Sequence, residues 1–99
     1  MIRGTTPTLR FDLPINVETL ECMYITISQN GSTVIEKSLA DCVCDAKRVN
    51  CRLSQADTLK LTAGTETCIQ VRVKTKGGDA LASRVSMIST DRILKDGEI

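Results

Sequence analysis

The stretch that decides the fold is Thr67-Cys-Ile-Gln-Val-Arg-Val-Lys-Thr-Lys76, Gly77-Gly78-Asp79, Ala80-Leu-Ala-Ser-Arg-Val-Ser-Met-Ile-Ser89. Ile69, Val71, Val73 and Thr75 alternate with Gln70, Arg72, Lys74 and Lys76, the period of two expected of a strand with one face on a core and one in water. On the return arm Leu81, Ser83, Val85 and Met87 alternate with Ala82, Arg84, Ser86 and Ile88. Pairing Lys76 with Ala80 leaves the loop Gly77 to Asp79 and sets Thr75 opposite Leu81, Val71 opposite Val85 and Ile69 opposite Met87. That register keeps apolar residues together, whereas a two-residue loop sets Arg84 opposite Val71 on the buried side. Glycine supplies the positive φ that such a loop needs.

Working outward, the segments before this hairpin read as further short strands. Leu9, Phe11 and Leu13 alternate with Arg10 and Asp12 in a strand that Pro14 ends, because proline removes a ladder donor. Val17 and Leu20 are expected to plug the end of the core. Glu21 to Gln29 puts Met23, Ile25 and Ile27 on one face and Cys22, Tyr24, Thr26 and Ser28 on the other. Asn30-Gly31 is a strong hairpin signal, and the return strand runs Thr33 to Leu39, where the adjacent Val34 and Ile35 require a bulge if both are to pack. A short Cys42-Val43-Cys44 segment and a turn at Asp45-Ala46-Lys47 precede Arg48 to Leu53, with Val49, Cys51 and Leu53 facing one way. Ser54 with Asp57 three residues on is a helix N-cap signature, and it predicts one helical turn through Leu59, with Leu59 and Leu61 over the core.

Six or seven short strands, frequent turns and one helical turn predict an all-β fold. The expected form is a single immunoglobulin-like β-sandwich of antiparallel strands, with a small β-barrel as the alternative. Residues 1–99 form one domain, with loosely held arms at 1–7 and 90–99. The core must be aliphatic, since Phe11 and Tyr24 are the only aromatics and there is no Trp.

Composition narrows the function classes. Thirteen basic and twelve acidic residues give a net charge of +1, which argues against a polyanionic partner. The apolar runs are far shorter than the roughly 20 residues needed to span a bilayer, and the N-terminal residues lack the apolar stretch of a signal peptide. A reducing cytoplasm is therefore the expected place of synthesis. Without histidine the usual general base is absent, and no phosphate-binding loop is present, so no enzyme activity, cofactor or small-molecule substrate is expected. Asp41 with Asp45, and Asp91 with Asp96, read as turn residues rather than catalytic carboxylates. Arg72, Lys74, Lys76 and Arg84 form a basic stripe, but without the stacking aromatics of single-strand binders it reads as a solvated sheet face.

Cys22, Cys42, Cys44, Cys51 and Cys68 make an odd number, which fits a complete disulfide framework poorly. Cys42 and Cys44, two apart on a strand, point to the same face. A zinc site would need these two and two of the others, and the spacing is not that of zinc ribbons. Small, semi-apolar strand residues are the simpler reading.

Gly4-Thr-Thr-Pro-Thr-Leu-Arg-Phe-Asp-Leu-Pro14, Leu53-Ser-Gln-Ala-Asp-Thr-Leu-Lys-Leu61, Ile69-Gln-Val-Arg-Val73 and Asp91-Arg-Ile-Leu-Lys-Asp-Gly97 resemble segments of small structural proteins encoded in prophages of Gram-positive bacteria. More loosely, the order of strands, crossover turn and final hairpin is similar to the immunoglobulin-like N-terminal domain of phage baseplate upper proteins. Residues 1–99 do not include the coiled-coil or receptor-facing extension of those proteins, so a single-domain part is expected. The resemblance implies a virion protein of tail or baseplate, made in the bacterial cytoplasm. Its expected partners are copies of itself and other phage structural proteins, with no nucleic acid and no membrane. The residues expected to make contacts lie at the ends: Ile2, Arg3, Pro7, Ile93, Leu94 and Ile99. The rival expectation is a monomeric adhesion or ligand-binding module that uses the Asn30-Gly31 and Gly77-Gly78 loops at one end of the domain.

Overall fold

The computed structural model describes residues 1–99, and the strands follow the alternation of the sequence. They are β1 (Thr8–Asp12), β2 (Leu20–Gln29), β3 (Ser32–Ser38), β4 (Val43–Asp45) and β5 (Arg48–Arg52), then a short helix α1 (Gln55–Leu59), then β6 (Glu66–Thr75), β7 (Ala80–Ala82) and β8 (Ser86–Ser89). One sheet has the order β1-β5-β4; in the other β3, β2 and β6 lie side by side, with β7 and β8 both against β6. All of these strand pairs are antiparallel. The two sheets keep separate edges, so the chain is a sandwich rather than a closed barrel.

Met23, Ile25 and Ile27 of β2 meet Ile35, Ile69 and Val71 of their own sheet and Val49 and Cys51 of the other, with Leu20, Leu53 and Leu61 completing the core. Each fully buried aliphatic side chain of this kind contributes about 1.5–3 kcal/mol. Phe11 is only partly buried beside them, and Val17 packs on the same cluster. On either side of Pro14 the chain is tied to the turn between β4 and β5, by Leu13 N–H to the Lys47 carbonyl at 2.7 Å and Val17 N–H to the Ala46 carbonyl at 2.8 Å.

The Asn30-Gly31 turn has positive φ at both residues, 51° and 76°, which matches the twist of the strands it joins. Just beyond it, Ile27 pairs with Ile35 but Ser28 pairs with Thr33. Val34 is therefore the extra residue of a bulge, and Ile35 turns fully inward. The predicted helix cap is also present: Ser54 Oγ accepts from Asp57 N–H at 3.0 Å, while Asp57 Oδ2 accepts from Ser54 N–H at 2.9 Å.

The decisive hairpin forms between the expected arms but in a different register. Lys74 pairs with Ala80, Val73 with Leu81 and Arg72 with Ala82, so the connection is longer than Gly77 to Asp79. Thr75 causes the difference. Its N–H donates to the Asp79 carbonyl at 2.8 Å and its Oγ1 accepts from Asp79 N–H at 3.0 Å. The return arm then breaks at Ser83, whose hydroxyl accepts from Val71 N–H at 3.0 Å in place of a ladder carbonyl. Arg84 and Val85 fall outside the ladder, which resumes with Ser86 opposite Ile69 and Met87 opposite Cys68. This break splits the expected single arm into β7 and β8. It leaves Val85 and Met87, expected inside, largely exposed, and buries Thr90 instead.

Candidate functional site

Both chain ends meet beside α1. The Met1 ammonium donates to the Ser89 carbonyl at 2.7 Å. Asp91 N–H donates to the Met1 carbonyl at 2.7 Å, and Arg3 N–H to the Asp91 carbonyl at 3.1 Å, forming a one-residue parallel bridge between Ile2 and Asp91. Farther along, the Thr58 hydroxyl donates to the Thr5 carbonyl at 2.8 Å and Leu53 N–H to the Pro7 carbonyl at 2.9 Å. Segment 1–7, expected from its polar composition to be loosely held, is thus hydrogen-bonded to elements distant in sequence. The reason is that its carbonyls and amides find fixed partners in the C-terminal segment, in α1 and at Leu53.

Arg3 is the centre of this junction. Its Nε donates to the Leu61 carbonyl at 2.7 Å and its Nη2 to the Leu59 carbonyl at 3.0 Å, so a cation satisfies carbonyls just where α1 ends. Its Nη1 lies 3.5 Å from Asp96 Oδ1. Gly4, with φ of +72°, lets Ile93 and Leu59 close onto the backbone: a Cβ there would sit 2.8 Å from Ile93 Cδ1 and 3.4 Å from Leu59 Cδ2. At the last residue, Ile99 N–H donates to Gln55 Oε1 at 2.9 Å and the Ile99 carbonyl accepts from Gln55 Nε2 at 3.1 Å.

The six residues expected to make contacts therefore divide. Arg3, Pro7 and Ile93 are used within the fold, while Ile2, Leu94 and Ile99 present apolar side chains to solvent, Leu94 and Ile99 at 92% exposure each. The C-terminal segment that carries Leu94 and Ile99 is anchored by a buried polar cluster that includes Thr90. Gln29 Nε2 donates to the Thr62 carbonyl and to Thr67 Oγ1, each at 3.0 Å, and Gln29 Oε1 accepts from Thr62 N–H at 2.9 Å. The Thr67 hydroxyl is hydrogen-bonded to that of Thr90. Every polar atom buried here is paired, as a stable polar core requires.

A second internal tie joins α1 to the large sheet. Lys37 lies opposite Ile25 in β3, so its stem runs along the core side, and its Nζ reaches Asp57 Oδ2 at 2.9 Å. Burial pushes the Asp57 carboxyl up, but the Ser54 amide, the Lys37 ammonium and the Ser54 hydroxyl outweigh it and hold the carboxyl below its ordinary range. The hydrogen bond to Asp57 raises Lys37 against the opposing effect of burial. At the neighbouring turn, hydrogen bonds from Ser38 lower Asp41.

Surfaces that the sequence did not reveal lie elsewhere. A groove of about 250 Å³ runs between the residues that follow β1 and the β7 edge, lined by Leu13, Pro14, Ile15, Val71, Val73 and Leu81. Val43 is 76% and Met87 65% exposed. The basic stripe is interrupted, because Lys76 lies beyond the end of β6 and Arg84 in the break between β7 and β8, while Lys74 sits 3.5 Å from Glu21. The two loops of the binding-module reading are not at one end. Gln29 pairs with Thr67 and Leu20 with Thr75, so Asn30-Gly31 and Gly77-Gly78 cap opposite ends of β2, about 30 Å apart for strands of this length.

The cysteines occupy two surfaces. Cys42, Cys44 and Cys51 pack on the core from the small sheet. Cys22 lies opposite Lys74, and Cys68 opposite Ser28 toward the other end of the same strand pair. Burial pushes the Cys42 thiol up to about 12, and raises Cys44 and Cys51 as well.

Comparison with protein-family models, curated proteins and solved structures finds no match to this chain.

Proposed function

We propose that this chain is a non-enzymatic structural part of a phage or prophage virion, a tail or baseplate component or decoration, which works by assembling with copies of itself and with other virion proteins. The observation that carries the reading is the pair of fully presented apolar side chains, Leu94 and Ile99, on a terminal segment whose backbone is hydrogen-bonded to the fold. A partner that covers them gains apolar burial without first ordering that segment, and ordering is a main cost of association. Ile2, bridged to Asp91 at the start of the same segment and about half exposed, adds a further apolar side chain. Symmetric self-association is the commonest arrangement for parts of this kind.

The test is sedimentation velocity of the wild-type chain and of the double variant Leu94→Asp/Ile99→Asp. Both side chains are almost fully exposed, so the substitutions remove little packing, and circular dichroism checks that the variant is folded. Deleting residues 91–99 is a poorer test, since it also removes the partners of Met1 and Arg3. The reading predicts an oligomer in the wild type and a smaller species in the variant. Equal sedimentation of the two contradicts it.

A further inference from the structure

Cys42 and Cys51 are the two thiols that the fold sets against each other. In the hairpin of β4 and β5, Asp45 pairs with Arg48, Cys44 with Val49 and Val43 with Asn50. One further step along the same register sets Cys42 opposite Cys51. Ala46 and Lys47 form a two-residue turn with φ of +52° at Ala46. Asp45 and Arg48 are then the hydrogen-bonded pair that closes the hairpin, and pair types alternate from there. Cys42 and Cys51 fall on a non-hydrogen-bonded position, where opposed Cα atoms stand about 4.5 Å apart, inside the range a disulfide spans.

Their surroundings agree. Cys42 Sγ donates to the Ser38 carbonyl at 3.4 Å, and the two thiols are near enough for each to influence the other's protonation. Cys51 is fully buried and Cys42 half-buried. Cys44, on the same face, has Val49 as its cross-strand neighbour, and Cys22 and Cys68 belong to the other sheet. This also accounts for an odd cysteine count, with one facing pair and three thiols without a facing thiol.

We propose that Cys42 and Cys51 form a disulfide site that closes when the folded chain meets a disulfide oxidant such as glutathione disulfide. Cys42, the more accessible thiol, attacks first through its thiolate, whose small fraction at neutral pH makes closure slow there and faster as pH rises, and displaces one glutathione thiolate, giving a mixed disulfide. Cys51 then attacks the Cys42 sulfur and displaces the second glutathione. The two cysteines lose two electrons and two protons in all, and one glutathione disulfide becomes two glutathione molecules. The bond would fasten the Leu39–Asp41 turn and the start of β4 to the central strand of the small sheet.

The test incubates the purified, folded wild-type chain with glutathione disulfide, blocks the remaining thiols with iodoacetamide and maps tryptic peptides without reduction. Cleavage after Lys47 and Arg48 separates the two cysteines, so the bond joins the Ser38–Lys47 peptide to the Val49–Arg52 peptide at about 2 Da below their summed mass. Cys44 shares the first peptide, so Cys42→Ser and Cys44→Ser variants decide which sulfur is used. A linked pair that persists in Cys44→Ser and disappears in Cys42→Ser, both folded by circular dichroism, is the expected result. Recovery of Cys42 and Cys51 as alkylated thiols in the wild type, or a link that survives in Cys42→Ser, overturns the proposal.

Discussion

Replacing Lys37 by Met tests the tie between the edge strand β3 and the helical turn. The substitution keeps the apolar stem and removes the ammonium that lies 2.9 Å from Asp57 Oδ2, where the two side chains are 22% and 11% exposed. Removing one partner of a fully buried ion pair costs about 3–5 kcal/mol, and breaking an exposed pair costs at most about 1 kcal/mol. With both groups mostly but not fully buried, the expected loss is about 2 kcal/mol, a fall in Tm of about 10 °C for a domain of this size. Asp57 keeps both hydrogen bonds with Ser54 in the variant, its carboxylate accepting from the Ser54 N–H and its own N–H donating to the Ser54 hydroxyl, so the helix cap survives and the measured loss belongs to the pair. The pH dependence follows from the shifts. Asp57 is held below 3.8, so its contribution is present above that value and is lost as pH falls through the lowered folded-state value. Lys37 is raised above 10.5, so its contribution is present below that value and is lost as pH rises through the raised one. Urea titrations of wild type and Lys37→Met should differ most at neutral pH and converge as pH falls below 3.8 and through the lowered folded-state value, where the carboxyl becomes protonated. A loss below about 0.5 kcal/mol at neutral pH, or one that does not shrink in acid, refutes the reasoning.

Two further substitutions probe the terminal junction. Gly4→Ala adds the crowding of Ile93 to a left-handed backbone, while Gly64→Ala has a similar φ of +75° in open space; in urea titrations Gly64→Ala should cost about 1 kcal/mol and Gly4→Ala about 1 kcal/mol more. Equal costs would mean that Ile93 does not hold the arm. Thr67→Val leaves the Thr90 hydroxyl without its partner and Gln29 Nε2 with the Thr62 carbonyl alone, so a loss of about 1–2 kcal/mol is expected on thermal unfolding, and an unchanged Tm speaks against a structural role for the cluster.

The parts of the fold legible in the sequence are those where one residue type has one strong local preference. Asn30-Gly31 fixes its turn through positive φ, the Val34-Ile35 adjacency requires the bulge, and Ser54 with Asp57 caps α1. In the return arm Ala80, Ala82, Ser83 and Ser86 have little preference for either face, so the register is decided by two hydroxyls. Thr75 lengthens the turn and the Ser83 side chain stands in for a carbonyl, and neither has a signature in the apolar alternation. The candidate site shows the same division. That Leu94 and Ile99 are apolar residues near a chain end can be read directly, whereas the use of Arg3 to satisfy carbonyls at the end of α1 depends on the two ends meeting, a long-range contact that no local pattern records.

The assembly reading is tested most directly by native mass spectrometry of the unmodified chain at micromolar concentration, with and without reductant and chelator. A discrete oligomer that survives both additions is the expected result, because apolar contacts at Ile2, Leu94 and Ile99 need neither a metal nor an intermolecular disulfide. A monomer under all conditions contradicts self-assembly through that surface.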